Sequence, residues 1–144
     1  MTAPPLRVDG LMIVGGMAHD FDFARLELLK VLALHDQARV SVSDSFEDVA
    51  ALERSAFLIT FTCNLRPSHS AVQGLRAFLE RGGRWLALHA TNSLLDWTEQ
   101  GVLASKDETG FVEMLGSQFV AHPPIGRFYV EVCAQEDPLC RGIA

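Results

Sequence analysis

Two short apolar runs, Leu11–Gly15 and Ala56–Phe61, constrain this chain more than any other feature. Each is too short for a buried helix and lacks the polar alternation of a strand with one wet face, so each reads as a fully apolar strand, the first covered on both sides, and Arg84–Leu88 reads as a further strand. Helical patterns fill the gaps. From Phe21 to about Asp36, Leu26, Leu29, Val31, Leu32 and Ala33 recur at three- and four-residue spacing among Arg25, Glu27 and Lys30, with Asp20 placed to cap the first turn. Arg39–Ser43 alternates as an edge strand does, and Glu47–Arg54 reads as a short acidic helix or turn. Ser68 or Ser70 can cap a further helix whose Val72, Leu75, Phe78 and Leu79 share one face and which Gly82-Gly83 ends. Strands alternating with helices over brief links predict an α/β fold: an open, mostly parallel, doubly wound sheet with helices on both faces.

Beyond Ala90 the regularity drops. Thr91–Thr109 is polar and reads as a long loop with one helical turn, of the kind that in compact domains is functional or mobile. Phe111–Leu115 reads as a short helix stopped by Gly116, and Arg127–Val132 as an alternating strand. No helix follows to cover that strand before Asp137–Ala144, so a partner or a second copy, making a homo-oligomer, is expected to shield it.

Composition narrows the function classes. With 144 residues, 49% hydrophobic and 21% charged, the chain is expected to form a single domain over 1–144, not a disordered or coiled-coil protein. A net charge of −6 with no Lys/Arg run argues against nucleic acid and anionic bilayers as partners. No apolar run approaches the roughly 20 residues that span a bilayer, and Met1–Gly10 lacks the apolar core of a secretory signal, so a cytoplasmic protein is expected. Cys63, Cys133 and Cys140 include no C-x-x-C pair and read as reduced residues; Cys63 follows a strand but has no neighbouring His or Cys to activate it.

In an open parallel sheet, ligands bind outside the carboxyl ends of the strands. His19 follows the first run and His89 directly follows the fourth strand, while His122 precedes the last expected strand, so three of the five histidines fall on segments that can converge on one rim. Imidazole titrates near neutral pH and ligates transition metals, which makes His89, His122 and His19 candidates for acid–base catalysis or for holding a divalent metal such as zinc. Asp20 is a cap and a candidate partner for His19; it also opposes a phosphate beside Gly15-Gly16, whose G-G-M-A-H-D pattern matches no nucleotide loop. Trp85 alternates within a strand and reads as core, whereas Trp97 reads as a loop anchor.

The segments G-G-R-W-L-A-L-H-A-T (82–91), F-V-E-M-L-G (111–116), F-V-A-H-P-P-I-G-R-F-Y-V (119–130) and V-G-G-M-A-H-D-F (14–21) resemble the trehalose-utilisation (ThuA-like) family over most of the chain. That resemblance implies a flavodoxin-like, class I glutamine amidotransferase-like fold. It also implies a carbohydrate or polyol ligand, with His89 at the corner where amidotransferases carry a catalytic Cys, and therefore no amidotransferase activity. His19, His89 and His122 match the family's recurrent histidines. The family's H-P-[IL]-x-x-G-[IL] segment is represented by Asp137–Ile143, with Asp137 in place of the His, and its later Asp-Glu-x-Tyr stretch, last strand and last helix are expected to be missing. The expectation is a protein acting on a sugar or keto-sugar as an isomerase, epimerase or hydrolase, by proton abstraction beside a carbonyl or by metal-assisted hydrolysis. His89 would transfer the proton, His19 and His122 would be its partners or metal ligands, and Asp20, Phe21, Thr91 and Asn92 would bind substrate. The alternative is a non-catalytic module of the same fold that binds a sugar or a protein, its histidines bracing loops.

Overall fold

The computed structural model describes residues 6–107 and 109–143; Glu108, Ala144 and residues 1–5, which open the segment expected to carry no secretory signal, lie outside them. Four parallel strands form the sheet in the order β2-β1-β3-β4: β1 is Val8–Gly16, β2 Ala38–Ser43, β3 Phe57–Cys63 and β4 Arg84–Leu88. The helices α1 (Phe21–Leu32), α2 (Val49–Arg54) and α3 (His69–Glu80) carry the chain between them. This is the doubly wound α/β sheet that the alternation of patterns predicts.

The pleat of β1 divides the core in two. Leu11 and Ile13 join Leu58 under α2 and α3, where Leu52, Val72, Leu75 and Phe78 are buried together with Phe46 and Phe111. Met12 and Val14 join Ile59 on the opposite face, against the half-buried Leu28, Leu29 and Leu32 of α1. Residues that alternate along one strand therefore bury in two layers, which is why β1 is apolar without a break.

The caps are local chemistry. Asp20 Oδ1 accepts the Phe23 N–H at 3.0 Å, Asp48 Oδ1 accepts that of Ala51 at 2.9 Å, and Ser68 Oγ accepts that of Ala71 at 3.2 Å. Gly82, at φ +87°, ends α3 in the left-handed conformation that a side chain disfavours. At the other end of α3, the Glu47 carboxylate accepts the Ser68 hydroxyl at 2.5 Å and its N–H at 2.9 Å, and these bonds hold its pKa below the usual value.

Three expectations need correction. The first helix stops at Leu32 instead of running to Asp36: the His35 N–H bonds to the Leu32 carbonyl and the Ala38 N–H to the His35 carbonyl, turning the chain into β2. The segment read as a loop from Thr91 contains an antiparallel hairpin, β5 (Leu95–Thr98) with β6 (Gly101–Ala104). Arg66 holds this hairpin through a single nitrogen, donating to the Leu95 carbonyl at 2.7 Å, Asp96 Oδ1 at 2.8 Å and Ser105 Oγ at 2.6 Å. Arg66→Ala is accordingly expected to speed hydrogen exchange of the β5 and β6 amides while leaving those of β1 and β3 unchanged; equal rates in both proteins would contradict the anchoring role. Finally, Arg127–Val132 forms no strand. Phe128, Tyr129 and Val130 stand in solvent, because no sheet edge lies beside them to take their backbone groups. The short helix α4 (Phe111–Leu115) forms as expected and inserts Phe111 into the core, and a single 3₁₀ turn, Pro138–Cys140, follows further on. Among the described residues no helix is long and apolar enough to cross a membrane.

Candidate functional site

Parallel strands present all their carboxyl ends on one rim, and the order β1-β3-β4 puts β3 between the ends that carry His19 and His89. The gap is bridged by side chains. The His19 ring meets the His89 ring edge to face with centroids 5.3 Å apart, and it lies 5.7 Å from Phe61 of β3 and 6.1 Å from Phe21. Phe21 and Phe61 pack on each other at 5.6 Å, so an aromatic wall backs the imidazole pair.

The turn that delivers His19 depends on backbone conformation. Gly16 has φ +116°, and a Cβ there would fall on the Cys63 carbonyl; Ala18 follows at φ +68°. The Met17 N–H bonds to the same Cys63 carbonyl at 3.1 Å, tying the turn to the end of β3. Cys63 itself is buried, and burial raises its pKa, which suppresses the thiolate and leaves it a packing residue.

His89 follows β4 directly and lines an open recess of about 250 Å³ together with Thr91, Asn92, Leu115 and Ser117. The volume lies a little below the roughly 300–1,000 Å³ of drug-sized pockets, a scale that suits a small ligand. Thr91 is 2% exposed and its hydroxyl donates to Thr60 Oγ1 at 3.0 Å, while Trp85 Nε1 donates to the same oxygen at 3.0 Å. Asn92 donates from its side-chain amide to Ser117 Oγ at 3.0 Å and accepts the Phe119 N–H at 3.1 Å through its main-chain carbonyl. Asn92 and Ser117 are thus the polar groups bordering the recess beside His89.

Burial, and secondly the charge of His89, lower the pKa of His19 below 6.5. At neutral pH His19 is therefore the free base, able to accept a proton. Asp20, expected to orient it, instead caps α1 with its carboxylate.

His122 does not join the pair. It is exposed, its ring lies 6.1 Å from Phe119, and its Nδ1 donates to the Pro123 carbonyl at 2.8 Å. The expected set of His19, His89 and His122 as metal ligands is consequently not assembled: two imidazoles fall short of the three protein ligands that even a catalytic zinc takes. Among the described residues no group of three or more His, Cys, Asp or Glu side chains could hold a metal ion, so these residues do not fit the expected divalent metal.

Sequence reasoning missed Phe61, Leu115 and Ser117. Phe61 was legible only as part of an apolar strand, and Leu115 and Ser117 reach the recess through the turn at Gly116, which leaves no periodic signal. Trp97, read as a loop anchor, lies on β5 and is 60% exposed. Comparison of the chain with protein-family models, with curated proteins and with solved structures finds no match.

Proposed function

We propose that this chain is a ThuA-like protein of carbohydrate metabolism that acts on a sugar or keto-sugar by histidine-based acid–base chemistry. The observation that carries the reading is the imidazole pair at the rim, 5.3 Å between centroids, with one member bordering a small polar recess. An open recess of this size suits a single sugar ring, and the Asn92 amide and Ser117 hydroxyl beside it are groups that bond hydroxyls. In this mechanism His89 takes the proton from the carbon beside the carbonyl, the C–H electron pair passing into an enolate, and returns it to the same carbon for epimerisation or to the former carbonyl carbon for isomerisation; His19, free base at neutral pH, can accept that proton from His89 and hand it back. The class of reaction is keto-sugar isomerisation or epimerisation. The corner that holds a nucleophilic thiol in amidotransferases holds His89 here, which supports chemistry without amide transfer. The reading places the protein in the cytoplasm and gives it no nucleic-acid or membrane partner, in keeping with its net charge of −6.

The test is solvent exchange. Incubated with a panel of aldoses and ketoses in D₂O, the protein is expected to exchange the hydrogen on the carbon beside the carbonyl of at least one sugar, followed by NMR. Binding without exchange would replace the enzyme by a sugar-binding module, and neither binding nor exchange across the panel would remove the carbohydrate reading altogether.

A further inference from the structure

Strand β4 ends the sheet order, and among the described residues no strand pairs with its outer edge. Exposed edges are ordinarily blunted by charge, proline or bulges. β4, Arg-Trp-Leu-Ala-Leu, carries one charge at its first residue, and Leu86 in its middle is 51% exposed. The opposite edge, β2, is more polar, with Arg39, Ser41 and Ser43 among its valines. β4 is the edge left open to pairing.

The same chain holds a segment with a strand's alternation that pairs with no sheet. Arg127–Val132 sets Phe128, Val130 and Val132 against Arg127, Tyr129 and Glu131, and its Phe128, Tyr129 and Val130 are 82%, 104% and 81% exposed. It matches β4 closely in length. Although Phe119 is held at the Asn92 carbonyl near the end of β4, residues from Val120 to Glu131 lie in solvent and do not return to that edge.

From these observations we infer that a second copy of this chain completes the sheet: Arg127–Val132 of each protomer adds to the outer edge of β4 in the other. Each copy offers the apolar β4 edge and one unpaired segment of strand-like alternation, so a two-fold exchange satisfies both. Backbone pairing supplies the affinity, and alternate apolar side chains cover the exposed residues of β4. The pairing stands or falls independently of the chemistry at His89.

Light scattering on the purified chain reads it out. The wild type is expected at twice the monomer mass, and both Val130→Pro, which removes a pairing N–H, and Leu86→Lys, which charges the acceptor edge, are expected at monomer mass with wild-type circular dichroism. Both positions are exposed in the single chain, so folding does not depend on them. A monomeric wild type would overturn the pairing, including one whose 127–132 amides are protected by its own β4. A dimer that survives both substitutions would overturn it equally, because the contact would then lie elsewhere.

Discussion

Phe78→Ala is expected to lower the unfolding free energy by about 3–5 kcal/mol, the range for truncating a buried aromatic. Phe78 is 0% exposed and sits in the larger of the two apolar clusters with Leu75, Val72 and Phe111. The surroundings are poorly able to collapse into the space it leaves. Gly83 lies so near the ring that a Cβ there would collide with it, and the Arg81 guanidinium lies 4.9 Å from its centroid while bonding the carbonyls of Leu52, Glu53 and Ser55 at the end of α2. Removing the ring therefore opens a cavity and loosens the seam between α2 and α3. Since domains of this size are stable by only about 5–15 kcal/mol, the variant should lie close to its unfolding threshold. Urea denaturation measures it, with Phe128→Ala as the control: that residue is 82% exposed and its truncation should change stability by less than about 0.5 kcal/mol. A Phe78 loss below about 1 kcal/mol would contradict the core as described.

The second large effect falls on chemistry instead of folding. His89→Ala is expected to reduce the exchange rate on the responsive sugar by roughly 10²–10⁴-fold, the usual contribution of a positioned acid or base. Its melting curve should match the wild type, because His89 is exposed at a strand end and contributes to neither apolar cluster. Undiminished exchange in the folded variant would take proton transfer away from His89. A variant that loses both folding and exchange would instead mark the residue as structural.

How far residues announced this arrangement depends on whether the governing interaction is local. β4 and α4 have the bounds that apolar runs and turn residues indicate, because strand and helix there are set by neighbours in sequence and by Gly82 and Gly116. The hairpin was hidden because Trp97, Val102 and Leu103 are all exposed at least 48%, so no buried face imprints a period, and because Arg66, its anchor, is distant in sequence. Arg127–Val132 shows the converse failure. Its alternation suits a pleated surface, yet a strand exists only where another strand accepts its backbone bonds. The same reasoning sorts the histidines. His19 and His89 are placed by the strands before them, whereas His122 depended on a strand that does not form.

The meeting of His19 and His89 is tested most directly by NMR titration of the His19 ring in the wild type and in His89→Gln. Burial and the His89 charge both disfavour its protonated form, so the wild-type ring should titrate below 6.5, and loss of the His89 charge should move it part of the way back, with the burial contribution remaining. With the folded value depressed, the contribution of His19 to stability is fully present above 6.5 and is lost as pH falls through the folded value. A His19 that titrates at or above 6.5 and does not move in the variant would show that the two imidazoles do not share a site.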